Sequence, residues 1–179
     1  MSQLERLHRK YADHVQLPWP RALAGPQRVW FVIYDEDDER RLRSRIESFH
    51  LATRQAGHGW IQLDLTDVFG DWMAGHPYRD HYFEGPGLLK GSALAGFRSY
   101  VTQRVRGVLS AADGDSVVAL TGVAGLFGFV KVSDLVRDVE SDVAGRLVVF
   151  FPGAFRNNVY RLLDRRDGWN YLAVPLANP

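Results

Sequence analysis

Asp35 and Asp64 each lie at or just beyond the end of an apolar segment, where an enzyme could hold a divalent cation. Asp35 comes directly after the apolar segment 29–34, and Asp64 lies near the end of the segment 60–65. Carboxylate oxygens suit Mg²⁺, and a bound Mg²⁺ could support phosphodiester or nucleotide chemistry. Residues 35–39 are all acidic, which suits the positive end of a helix dipole and would repel phosphate. We therefore favour a charged helix start, with the magnesium-dependent enzyme as an alternative.

Glycines recur three residues apart in the segment 122–128, a spacing that superficially suggests a phosphate-binding loop. Neither G-x-G-x-x-G nor G-x-x-x-x-G-K-[ST] is present, and Leu126, Phe127 and Phe129 would place apolar groups against phosphate. The glycines instead permit tight turns between large apolar residues. The loop is therefore expected either to fill the core or to present its apolar side chains to a partner, and no nucleotide cofactor is predicted.

Histidine and serine patterns do not predict catalysis. His76 and His81 flank Asp80 in a spacing that could ligate a metal only with help from elsewhere. The sequence contains neither an H-E-x-x-H motif nor a G-x-S-x-G nucleophile motif. We predict no catalytic residues, no metal and no cofactor.

Arginine and aromatic side chains are mixed in the segment 150–171. Such a mixture can stack on bases and pair with phosphates, yet Arg, Trp and Tyr are also enriched at protein interface hot spots. The chain's formal net charge of +1 does not favour binding to nucleic acid. A nucleic-acid-binding module that uses the C-terminal arginines is therefore kept only as a further alternative to a protein interface. The residues predicted to bind a protein partner are Leu126, Phe127, Phe129, Phe155, Arg156 and Trp169.

The elements that would position these residues alternate between strands and helices. Segments 29–33, 117–120 and 147–151 are apolar without alternation, which is typical of parallel strands covered on both faces. Segments with helical spacing separate them, and one helix is expected to begin near Ser133, which would serve as its N-cap. We predict an α/β fold with a single doubly wound, mainly parallel sheet flanked by helices, similar to a nucleotide-binding fold without a phosphate loop.

The chain is expected to form a single domain over residues 1–179. Its N-terminal helix is predicted within residues 1–16, its last strand at 170–174, and a long ordered loop at 75–91, where Gly, Pro and Tyr are frequent and no period is visible.

The amino-acid composition is that of a folded globular protein without disulfides or membrane-spanning helices. Hydrophobic residues make up 46% and charged residues 24% of the chain, as in a folded globular domain. Cysteine is absent, so nothing requires an oxidising compartment. Apolar runs are far shorter than the ~20 residues of a membrane helix, and no apolar leader is visible. A cytoplasmic location with no membrane association is expected.

Over nearly its whole length the chain resembles the BrxB component of bacterial BREX (bacteriophage-exclusion) systems. The resemblance depends on the order and spacing of several short stretches. These stretches lie at 17–19 (LPW), 27–35 (QRVWFVIYD), 122–129 (GVAGLFGF), 145–153 (GRLVVFFPG) and 168–175 (GWNYLAVP).

The resemblance implies antiviral defence encoded by a multi-gene locus. The other products of such a locus include a phosphatase-like protein, a large ATPase and a DNA methyltransferase. It implies a non-catalytic adaptor that binds the phosphatase-like subunit, with the ATPase and methyltransferase as further candidate partners and only indirect association with DNA. It supplies no catalytic residues.

Overall fold

The computed structural model of the chain describes residues 1–163, 165–169 and 171–179, and of residues 168 and 169 it describes the backbone alone. Its main strands are β1 (Val29–Tyr34), β2 (Gly59–Asp64), β3 (Ser116–Thr121), β4 (Arg146–Arg156) and β7 (Val174–Ala177). They are parallel to one another and lie in the order β2-β3-β4-β1-β7. The prediction of an α/β fold with a mainly parallel sheet is confirmed.

Helices cover both faces of this sheet. They are α1 (Gln3–Val15), α2 (Glu39–Gln55), α3 (Val68–Ala74), α4 (Arg79–Glu84), α5 (Ser92–Ser110) and α6 (Val132–Val139). Helices α1 and α2 pack on one face against side chains such as Trp30 and Phe150. Helices α3, α5 and α6 pack on the opposite face against side chains such as Phe31 and Phe151. Successive strand residues therefore serve two separate cores, which explains why these strands are apolar throughout.

The connection between β1 and β2 sets the strand order. After β1 the chain passes through α2 and enters the sheet again at β2, beyond both β4 and β3. The later connections run in the opposite direction, from β2 to the neighbouring β3 and then to β4. The carboxyl ends of β1 and β4 thus flank the point where ligands bind in many doubly wound proteins.

An antiparallel hairpin extends from β4 beyond the parallel sheet. Strand β5 (Val159–Leu162) pairs with the last residues of β4, and β6 (Arg165–Trp169) pairs with β5. The turn between β4 and β5 consists of Asn157 and Asn158, with φ angles of 51° and 59°. Asparagine tolerates this left-handed conformation, and two such residues make the turn that suits the twist of a hairpin.

Three local predictions differ from the structure. The segment 75–91, predicted as a loop, contains α4 and a 3₁₀ turn at Pro86–Leu88. The last strand is β7 and not 170–174, of which residue 170 lies outside the described residues. Helix α6 begins at Val132, so Ser133 lies inside its first turn and is not its N-cap.

Candidate protein-binding cleft

A cleft of about 250 Å³ lies between the loop that follows β3 and the β5–β6 hairpin. We call it the hairpin cleft. Its lining residues are Phe127, Gly128, Phe129, Val130, Lys131, Leu162, Arg165, Arg166 and Asp167. Because the loop leaves β3 at its carboxyl end and the hairpin continues β4 past its pairing with β1, the cleft lies at the carboxyl edge of the sheet.

Phe127 forms part of the apolar wall of the hairpin cleft. It is only partly buried, and the guanidinium carbon of Arg165 lies 5.3 Å from the centre of its ring. Gly128 follows with a φ angle of 81°, so the chain turns at this point in a conformation that side chains rarely adopt. The turn separates Phe127 from Phe129, whose ring packs on Phe69 and Phe97.

Phe129 links the cleft to the core. Its ring stacks on that of Phe69 with centroids 4.1 Å apart and planes at 4°, and it meets Phe97 edge to face. Phe129 therefore lines the cleft but is held by the helices behind it, which makes its substitution a poor test of partner binding alone.

Asp167 fixes the hairpin to the start of α6. Its carboxylate accepts hydrogen bonds from the backbone N–H groups of Val132 at 2.6 Å and Ser133 at 2.7 Å. The Ser133 hydroxyl in turn donates to the carbonyl of Asp167 at 2.9 Å. Burial raises the pKa of the Asp167 carboxyl, and the hydrogen bonds oppose that shift. Sequence reasoning missed this residue, because the pairing joins segments about 35 residues apart.

The structure corrects one predicted partner-binding residue and separates two others from the cleft. Leu126 is fully buried, so its assignment to a binding surface was wrong: the 3₁₀ turn at Val123–Leu126 directs it into the core. Phe155 packs on Tyr160 at 4.5 Å, and Arg156 is exposed beside the Asn157 turn. The side chain of Trp169 lies outside the described residues.

Asp35 and Asp64 do not converge on a common site. Strands β1 and β2 are three strand spacings apart, which separates their ends by roughly 14 Å, far more than one cation can bridge. Asp35 accepts a hydrogen bond from the N–H of Asp37, and Asp64 accepts two from Thr66. Each aspartate therefore shapes its own turn.

Hydrogen-bonded side chains line a cavity of about 170 Å³ between the strand ends. Tyr34 donates a hydrogen bond to Glu39, Glu39 accepts one from Arg43 at 2.8 Å, and Arg43 donates to Thr66 at 3.0 Å. Thr66 then donates to Asp64 at 2.5 Å. This chain of bonds runs from the end of β1 to the end of β2. In the part of the chain that the structure describes, His, Asp and Glu form no group of three that could hold a metal.

The first glycine of the 122–128 loop has a packing role. Gly122 has a φ angle of 68°, and a Cβ placed there would lie 2.4 Å from the Asp64 carboxylate and 2.3 Å from the Thr66 hydroxyl. Glycine is thus required for close contact between the loops that follow β2 and β3, and no anion is needed to explain it.

A second apolar surface lies in the segment that was predicted as a loop. Tyr78, Phe83 and Leu88 are exposed by 65%, 68% and 49% on and around α4. The aromatic composition of the segment 75–91 was the available sequence signal for it. These side chains are spread over two short helical pieces, α4 and the 3₁₀ turn at Pro86–Leu88.

Fold and site together define a three-layer α/β protein with an accessory hairpin and a cleft at the carboxyl edge of its sheet. No family model, curated protein or solved structure matches the chain. Within residues 1–163, 165–169 and 171–179, no helix is both long enough and apolar enough to cross a bilayer.

Proposed function

We propose that this protein is a non-catalytic adaptor of a BREX-type bacteriophage-defence system, working in the cytoplasm, and that it binds the phosphatase-like subunit of that system. The proposal draws on the resemblance of five stretches of the chain to BrxB and on the presence of the hairpin cleft. The ATPase and methyltransferase subunits are further candidate partners. Association with DNA would be indirect, through these subunits.

The observation that carries the proposal is the partly exposed apolar wall of the hairpin cleft. The partly exposed Phe127 and the buried Leu162 line a cleft of about 250 Å³ that the described residues leave open. Concave apolar surfaces with a polar rim are typical of protein-binding sites, and aromatic residues at their centre commonly dominate the binding energy.

The carboxyl edge of the sheet also favours an adaptor over a magnesium-dependent enzyme. The network from Tyr34 to Asp64 lines a cavity of about 170 Å³ near the carboxyl ends of the strands, and several of its hydrogen-bonding groups are already paired with one another. Asp35 and Asp64 face separate cavities, so neither completes a metal site with the other.

Co-purification from cells that express the whole defence locus tests this function. We expect tagged protein to retain the phosphatase-like subunit, and Phe127→Ser to weaken that binding about thirtyfold, as loss of one central aromatic anchor would. Leu51→Ser is the matched control, because Leu51 is 53% exposed on α2, in the layer on the opposite face of the sheet.

Thermal unfolding of both variants must accompany the binding measurement. Retained stability with lost binding in Phe127→Ser alone supports the adaptor. Absence of the phosphatase-like subunit from the wild-type pull-down, or equal losses in both variants, would contradict the proposed partner or its proposed surface.

A further inference from the structure

We infer that a cavity at the amino edge of the sheet binds the phosphate group of a small phosphate monoester. This cavity lies at the opposite edge of the sheet from the hairpin cleft, so its ligand is independent of the proposed adaptor function. Three features favour a phosphate there: a buried arginine without a carboxylate partner, two further arginines beside it, and the size of the cavity.

The cavity lies where segments near the amino ends of β1, β3 and β4 meet, and we call it the arginine cavity. Its lining residues are Trp19, Pro20, Arg21, Gly114, Asp115, Ala144 and Arg146. Its volume of about 310 Å³ lies at the lower end of the ~300–1,000 Å³ of typical small-molecule sites. A ligand of a few carbon atoms with one phosphate group suits this size.

Arg146 supplies a buried positive charge to the arginine cavity. It is only 4% exposed, and no carboxylate of the described residues forms an ion pair with it. Its guanidinium lies 4.8 Å from the centre of the Trp19 ring and donates to the carbonyls of Pro20 at 3.3 Å and Gly145 at 2.9 Å. A guanidinium has five N–H donors, so three of them have no acceptor among the described residues. Because buried charges in proteins are normally paired, an anion is the expected complement of this group.

Two further arginines add positive charge beside Arg146. Arg28 donates to the carbonyl of Arg21 at 3.0 Å and to that of Val143, the neighbour of Ala144, at 2.8 Å. Burial and the charge of Arg28 both lower the pKa of the Arg146 guanidinium. The Arg21 side chain is exposed, lines the cavity and forms no ion pair with a described residue. It can therefore contact an anion that Arg146 holds.

One carboxylate lines the arginine cavity and opposes the binding of an anion. Asp115 is exposed, and the described residues place no cation within ion-pair distance of it. Arg21 and Arg146 outweigh it, so the lining keeps an excess of one positive charge. The nearby Asp113 already accepts hydrogen bonds from the Ser116 hydroxyl and from the N–H of Asp115. An incoming anion therefore meets a net attraction.

The arrangement of donors favours a phosphate over a carboxylate or a nucleotide. A carboxylate is satisfied by the edge of one guanidinium, whereas the oxygens of a phosphate dianion accept from two arginines at once. A nucleobase would need an aromatic face, but the Trp19 ring is already stacked on His58 with centroids 3.5 Å apart and is contacted by Arg146. A compact phosphate monoester is therefore the ligand that this cavity suits best.

Calorimetric titration of the full-length protein at constant ionic strength tests the inference. The probes are glycerol 3-phosphate and inorganic phosphate, and the comparison ligands are acetate and ATP. We expect saturable binding of both phosphate probes, and binding of acetate that is at least about tenfold weaker.

Two variants at the arginine cavity should change the affinity for glycerol 3-phosphate in opposite directions. Arg21→Gln removes one of the two lining arginines and should weaken binding about five- to tenfold. Asp115→Asn removes the opposing charge and should strengthen binding about two- to threefold, more at low salt than at high salt. Both side chains are exposed, so both variants should fold as the wild type does, which thermal unfolding checks.

Arg40→Gln provides the matched control, because Arg40 is an exposed arginine in the first turn of α2, which follows the carboxyl end of β1. Unchanged binding in this variant, together with the opposite effects of Arg21→Gln and Asp115→Asn, supports the inference. Absence of saturable binding of both phosphate probes to the wild type would overturn it, as would an equal loss in Arg40→Gln and Arg21→Gln. Equal affinity for acetate, or tighter binding of ATP than of glycerol 3-phosphate, would also overturn it.

Discussion

The carboxylate of Asp167 accepts a hydrogen bond from the backbone N–H of Val132 at 2.6 Å, and this bond joins the β5–β6 hairpin to the first turn of α6. One wall of the hairpin cleft is thereby fixed to the loop that forms the other wall. The first N–H groups of a helix need hydrogen-bond acceptors, and in α6 the Asp167 carboxylate, from a different part of the fold, accepts from two of them.

Replacing Asp167 with Asn should lower the free energy of unfolding by about 1–2 kcal/mol, because an amide offers one acceptor atom where the carboxylate offers two. Urea unfolding at neutral pH measures this change. Asp80→Asn is the control: Asp80 is exposed in α4, so a change within about 0.5 kcal/mol is expected there. Equal stability of the Asp167 variant and the wild type would show that the hairpin is held by other contacts.

Leu126 and its neighbour Phe127 should respond differently to truncation. Leu126→Ala removes a fully buried side chain and is expected to cost about 2–5 kcal/mol of stability. Phe127→Ser alters a partly exposed side chain and should cost clearly less while it weakens partner binding. Thermal unfolding and co-purification of the two variants provide the comparison, and a larger stability loss at Phe127 than at Leu126 would assign Phe127 to the core.

Gly153 should not tolerate a side chain. A Cβ there would lie 1.9 Å from the backbone oxygen of Arg161 on the adjacent strand β5. Gly153→Ala is therefore expected to destabilise the protein by about 1–3 kcal/mol, with the hairpin displaced from β4. Gly107→Ala in α5 meets no atom within 4 Å and should stabilise by about 0.5–1 kcal/mol. Calorimetric unfolding of both variants tests the pair, and a stable Gly153→Ala protein would contradict the register of β4 and β5.

The ion pair between Arg98 and Asp138 should make stability depend on acid pH. Arg98 donates hydrogen bonds at 2.7 and 2.8 Å to Asp138, and these bonds hold the pKa of that carboxyl below its ordinary value of 3.8. A lowered carboxyl pKa gives stability that is full above 3.8 and is lost as the pH falls through the folded-state value.

Asp138→Asn should therefore cost about 0.5–1 kcal/mol at neutral pH, a modest amount because both side chains are partly exposed to solvent. The difference from the wild type should shrink as the pH is lowered below 3.8. Urea unfolding across this range measures it, and a difference that does not vary with pH would exclude the ion pair as its source.

Phage protection should survive loss of the two candidate metal ligands. Asn can accept the same turn hydrogen bonds that Asp35 and Asp64 accept, so the double variant Asp35→Asn with Asp64→Asn is expected to remain within about 1 kcal/mol of wild-type stability. Plaque assays on cells that carry the locus should then give unchanged protection. Complete loss of protection, with normal stability and normal partner binding, would instead favour catalysis.

Much of the parallel sheet could be predicted from the sequence. Segments 29–33, 117–120 and 147–151 are apolar throughout because each contributes alternate residues to two separate cores. The strand order was not predictable from local pattern, since it depends on the path of α2 past two intervening strands.

The C-terminal hairpin was missed because its strands are short and rich in arginine. The pair Asn157 and Asn158 was the available signal, as two residues able to adopt positive φ commonly connect antiparallel strands. The helix cap at Asp167 and the burial of Leu126 depend on contacts between distant segments, which local sequence does not reveal.

Strand β4 spans 11 residues, of which the first lie at the centre of the sheet and the last form one side of the hairpin. The hairpin proposed to contact a partner and the central strand of the sheet are therefore one continuous piece of backbone. A partner bound to the hairpin would therefore pull directly on a strand that runs to the middle of the sheet. The adaptor would in that case behave as a rigid handle, and bound subunits would keep a defined orientation relative to one another.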